Sequence, residues 1–151
     1  MEDIPTVRDF MTRKVISLKP EQTIGDAINT FVQNRISGAP VIDEAGELVG
    51  ILSQRDCLSW LANLRYYGVA AGTVADFMSK GVHSIEVEAD IFVAADLFLY
   101  HHFRRVPVLD GDEDVVGILS RHDVMRAGAR LCRSQLEEAP DPGYIPEQLK
   151  A

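Results

Sequence analysis

Displaced by 67 residues, the chain matches itself without a gap. About 19 of about 52 overlaid positions are identical, far more than a fixed offset gives by chance. Val7-Arg8-Asp9-Phe10-Met11 falls on Val74-Ala75-Asp76-Phe77-Met78, and Pro40-Val41-Ile42-Asp43 on Pro107-Val108-Leu109-Asp110. Val49-Gly50-Ile51-Leu52-Ser53 falls on Val116-Gly117-Ile118-Leu119-Ser120, after which Asp56 meets Asp123. Any fold for this chain must therefore use one unit of roughly 60 residues twice. Two copies point to duplication inside one domain, since a solenoid needs three or more units.

Each copy reads as β-α-β-β-α. Thr6 and Thr73 can cap a short opening helix, with Asp9 and Asp76 completing a variant capping box. A short extended stretch follows, Val15-Ile16-Ser17 in one copy and His83-Ser84-Ile85 in the other. Thr23 then caps a helix with an inward stripe of Ile24, Ala27, Ile28, Phe31 and Val32. Asp90 caps its counterpart, with Ile91, Ala94, Ala95, Phe98 and Leu99 facing in. Hairpins are expected over 39–43 and 48–52, and over 106–110 and 115–119, the second turning through Gly111-Asp112. A closing helix starts near Ser53 or Ser120.

The expected class is α/β (α+β), a tandem pair with pseudo-twofold symmetry. One repeat covers 1–66, the other 67–133, and 134–151 forms a C-terminal tail, extended or mobile from about residue 137 and marked by Pro140, Pro142 and Pro146. One unit alone is marginal in size, and pairing two face to face buries both sheets.

Composition narrows the function. A net charge of −8 over 151 residues argues against a nucleic-acid binder, whose affinity rests on neutralised phosphates. It leaves room for a small anionic ligand in a locally basic pocket. No apolar run nears the roughly 20 residues of a membrane helix, and the start resembles no signal peptide, so a cytoplasmic location is expected. Cys57 and Cys132, each in an apolar helical context, read as buried free thiols. No nucleophile elbow, Walker loop or paired metal ligands occur, so no enzyme activity is expected. The adjacent His101 and His102 point about 100° apart on a helix and do not face one metal together.

The most specific local pattern is Gly-Ile-Leu-Ser-x-x-Asp, ending at Asp56 and again at Asp123. As a helix start, Ser53 and Ser120 serve as N-caps, with the carboxylates favoured by the helix dipole. Capping explains one copy well, and less well why both keep Ser and Asp while the residues between them differ. A hydroxyl and a carboxylate at a helix start also suit a ribose diol, beside N–H groups suited to phosphate. Before the central strand of the second copy, Arg104-Arg105-Val106-Pro107 sets two guanidinium groups at a strand entry, fit to grip phosphate or to form a solvated basic loop. The first copy has Ser37-Gly38-Ala39-Pro40 there, small and uncharged, so the two pockets should differ.

These doubled motifs resemble the cystathionine β-synthase (CBS) domain pair, or Bateman module, from about Val7 to Leu131. The resemblance implies a regulatory module binding an adenosine-containing ligand such as AMP, ADP, ATP or S-adenosylmethionine between the repeats. It implies ribose-holding carboxylates at Asp56 and Asp123 with Ser53 and Ser120 as hydroxyl partners, and base-enclosing residues near Ser17 and Ser84. The phosphate-contacting pair falls on Arg104 and Arg105, and we expect it to serve a ribose held by Asp123 and Ser120. No required cofactor is implied. A homodimer formed through helices is. Because the two repeats use almost all residues, an effector protein acting in trans is expected; a ligand-free scaffold or an S-adenosylmethionine sensor is the alternative.

Overall fold

The computed structural model describes residues 4–67 and 72–138. Its elements follow the duplicated order. The first copy holds α1 (Val7–Phe10), α2 (Ile24–Asn34), β1 (Gly38–Ile42), β2 (Leu48–Ser53) and α3 (Gln54–Tyr67). The second holds α4 (Val74–Phe77), β3 (Ile85–Glu86), α5 (Ile91–Tyr100), β4 (Arg105–Leu109), β5 (Val115–Ser120) and α6 (Arg121–Glu138).

Local chemistry sets these boundaries. Thr23 Oγ1 accepts the Asp26 N–H at 3.1 Å, and Asp90 Oδ1 accepts from Phe92 and Val93, starting α2 and α5 at the expected caps. Hairpins β1–β2 and β4–β5 are antiparallel, with the same irregularity after Val41 and after Val108. Their turns also correspond. Gly46 takes φ +82°, while its counterpart Glu113 is held at φ +63°, two residues beyond the expected turn centre at Gly111. Asp43 and Asp110 tie both turns by accepting backbone N–H bonds.

The first strand forms in one copy only. Ile85–Glu86 pairs in parallel with β4, whereas the first copy has a single bridge, Leu18 to Val41, and Val15–Ser17 form no strand.

What joins the copies is an exchange. Thr12, just after α1, pairs with Ile118 of the second hairpin, and Ser79, just after α4, pairs with Ile51 of the first. Each opening helix thus packs into the other copy's core. Val74, with Phe77 and Met78, joins Leu18, Phe31, Val41 and Leu52; Val7 and Met11 join Ile85, Val106, Val108 and Leu119. There are two cores, each built from both repeats. Gly50 and Gly117 make the exchange possible, because a Cβ at either would stand 2.5 or 2.6 Å from the sulfur of Met78 or Met11.

Several expectations about packing are corrected. Val32 and Leu99, expected in the inward stripes, are 71% and 75% exposed, and Ala95 is exposed as well. Leu97, from the opposite edge of the stripe, packs against the second core instead. Cys57 is buried but Cys132 is exposed, and both are free thiols. Residues 134–138, expected to begin the tail, continue helix α6, since the first proline comes only at 140. The tail beyond them lies outside the described residues.

Candidate functional site

A cleft of about 610 Å³ opens between the repeats, walled by the start of α3, the segment after α4 and the entry to β4. From the first copy it takes Ser37, Gly38, Ser53 and Asp56; from the second, Arg104, Arg105 and Val106. The sequence predicts all seven as site residues, and the fold brings them together.

The start of α3 is a reciprocal cap. Asp56 Oδ2 accepts the Ser53 N–H at 2.8 Å and its hydroxyl at 3.0 Å, and Ser53 Oγ accepts the Asp56 N–H at 3.3 Å. Capping therefore uses one carboxylate oxygen, and no described residue bonds the other. Asp56 is half-buried at the cleft wall, with an acceptor to spare.

Opposite it lies positive charge. Arg105 crosses the pseudo-twofold axis to donate to Ser37 Oγ, its stem passing 3.6 Å from where a Cβ on Gly38 would sit. Burial pushes the Arg105 guanidinium pKa down, neighbouring Arg104 adds to this, and Asp123 opposes it. With Arg55, His83 and His102 also lining the cleft, Asp56 shares it with three arginines and two histidines. A chain of net charge −8 has gathered cations around one hollow.

Other predicted residues lie elsewhere. Ala39, Pro40 and Pro107 are buried in mid-strand, where they fill core space and do not line the cleft. Ser84 is exposed just past it; from that segment Ser79, Gly81, Val82 and His83 line the wall. Ser17 is exposed in the matching segment of the first copy. The arginine pair, expected beside Ser120 and Asp123, also lines the cleft of Asp56. Neither Ser120 nor Asp123 lines the cleft that holds Arg104 and Arg105, although Arg105 is the strand partner of Ser120 and its guanidinium also feels the Asp123 carboxylate. At that second site Asp123 is buried, accepting the Ser120 N–H at 2.9 Å and pairing with Arg126.

His83, Ser79 and Arg55 were not foreseen. The sequence carries no signal for the first two, since they reach the cleft only through the exchange of the helix that precedes them. His83 stacks near His101, 4.4 Å between ring centroids, and near Phe103, fixing this rim of the cleft.

A second hollow, about 680 Å³, lies between α2 and α3 with Ile28, Val32, Leu58 and Leu61 on its walls. Among the described residues no helix is long and apolar enough to cross a membrane.

The fold and cleft define a class: a duplicated α+β module with hydroxyl–carboxylate helix starts facing a groove between its halves. The CBS domain model matches twice, at residues 7–63 and 74–130, and the chain belongs to the CBS domain family. It is 32% identical over 156 residues to the CBS domain-containing protein CBSX1, chloroplastic, of Arabidopsis thaliana, covering 85% of this chain and 66% of that one. Thus it spans just under two thirds of that curated relative. Among solved structures, CBSX2 in complex with AMP superposes with a TM-score of 0.75 at 34% identity, over 85% of this chain and 99% of that one. The CBS pair of protein MJ0100, in complex with 5′-methylthioadenosine and S-adenosyl-L-methionine, gives 0.75 at 25% identity over the same shares.

Proposed function

We propose that the chain is a regulatory CBS pair that binds an adenine nucleotide of the AMP, ADP or ATP class between its repeats and signals to a partner protein in the cytoplasm. Asp56 and Ser53 hold the ribose hydroxyls, and Arg104 and Arg105 hold phosphate. Asp56 keeps one acceptor oxygen open, as a diol needs. The carrying observation is the excess of cations around that single carboxylate. A phosphate is attracted there, whereas the sulfonium of S-adenosylmethionine is repelled and uncharged 5′-methylthioadenosine gains nothing from the cations, which favours the AMP of the CBSX2 complex.

The proposal includes a homodimer. Val32 and Leu58 are exposed on α2 and α3, and residues 67 positions on, Leu99 and Met125, are exposed on α5 and α6. Both repeats so present an apolar helical face of the kind a second copy covers. A purely structural role would rest on this face alone and leave the cationic cleft unexplained.

Calorimetric titration with AMP, ATP, adenosine and S-adenosylmethionine tests the reading. Asp56→Ala removes a hydrogen bond to a charged acceptor, about 1.5–3 kcal/mol, and should weaken AMP by about 10- to 100-fold. Arg105→Ala should weaken AMP similarly while leaving adenosine nearly untouched. Equal affinity of wild type and Asp56→Ala for AMP sinks the assignment.

A further inference from the structure

The twofold-related carboxylates are in different states. In the first repeat Asp56 is half-buried with one oxygen unbonded by any described residue. In the second, the Asp123 side chain is only 7% exposed and both its oxygens are taken. Oδ2 accepts the Ser120 N–H, and Oδ1 receives the guanidinium of Arg126, one turn further along α6. Arg126 also donates to the Phe10 carbonyl at 3.3 Å, at the end of the helix that the first repeat lends to the second core. It is thus held at two points.

The first repeat has no such device. The residue 67 positions before Arg126 is Ser59, whose side chain is too short to reach across a helical turn to a carboxylate. A charge-assisted bond to a desolvated carboxylate is a strong competitor for a neutral ribose hydroxyl.

We propose that Arg126 occupies the ligand-holding carboxylate of the second repeat, so that each chain takes one adenine nucleotide, at Asp56, and Arg126 sets that stoichiometry. This rests on the nucleotide reading above. Arg126 is half-exposed, so its replacement leaves the cores intact.

The experiment is calorimetric titration of AMP into four folded proteins: wild type, Arg126→Ser, Asp56→Ala and the double variant. Wild type should bind one AMP per chain, and Arg126→Ser should gain a second site. Asp56→Ala should bind at least tenfold more weakly, and the double variant should recover one site, now at Asp123. Two AMP molecules per wild-type chain, or one bound undiminished by Asp56→Ala, overturns the inference and leaves nucleotide binding standing. An Arg126→Ser protein that still binds one AMP, with the double variant silent, overturns it as well. Silence from all four proteins removes the nucleotide reading, and this inference with it.

Discussion

The two repeats share their hairpins and their exchanged helices, and part company in the cleft. Strand irregularities, turns, exchanged helices and methionine–glycine contacts recur at the 67-residue offset. So do the identical residues that make them, Gly50 and Gly117 or Leu52 and Leu119. Around the cleft the copies differ in charge and reach: Ser37 against Arg104, Gly38 against Arg105, Arg55 against His122, Ser59 against Arg126. Close packing keeps the hairpin glycines and leucines alike, although the cores also differ, Trp60 against Ala127 and Ala39 against Val106. Positions facing a groove carry no such constraint and are where one copy becomes a site and the other does not.

The strongest way to break the equivalence of the cores is to empty them one at a time. Leu52 and Leu119 are both fully buried, one in each cluster. Leu52→Ala and Leu119→Ala should each cost roughly 2–5 kcal/mol, by lost burial plus the cavity left behind. Because each core contains a helix from the other repeat, either change should lower one shared unfolding transition. Two transitions in a calorimetric scan, with only one displaced, would show the halves to be independent.

A finer comparison adds volume at the exchange. Gly50→Ala and Gly117→Ala place a methyl group against a methionine sulfur, and should each cost about 1–3 kcal/mol through overpacking. Methionine is flexible and will yield part of this. Matching losses in denaturant midpoint support equivalent contacts. A loss at one glycine alone would mean that one methionine has room to move and the other has none.

The pattern of elements was legible in the sequence because it is local. Caps at Thr23 and Asp90 and the alternation of the hairpins fixed helices and strands to within a residue or so. The exchange of α1 and α4 was not legible, since periodicity says that Val7 and Val74 are buried but not in whose core. Nor does the sequence tell that Arg105, the strand partner of Ser120, reaches across to Ser37 and lines the cleft of Asp56 as well. Val32 and Leu99 fit a helical apolar stripe as well as their buried neighbours do; their exposure reflects a wide stripe with nothing among the described residues to cover its edge.

The smallest expected effect concerns the boxes that open each repeat. Thr73 donates its backbone N–H to Asp76 Oδ2 at 3.0 Å, as Thr6 does to Asp9. The bonds from Thr73 hold the Asp76 carboxyl below its ordinary range, first through the backbone and then through the hydroxyl. A depressed folded pKa means that the ionised carboxylate stabilises α4. This contribution is complete above the unfolded value of about 3.9 and disappears as pH falls through the folded value. Asp76 is fully exposed, so the effect is slight. Melting midpoints of wild type and Asp76→Ala should stand furthest apart near neutral pH and draw together on acidification. A gap that persists into strong acid would mean that the variant acts through packing of α4 and not through its cap. Since Val74 on that helix reaches the first repeat's core, the acid-sensitive cap would then have no hold on the joint between the halves.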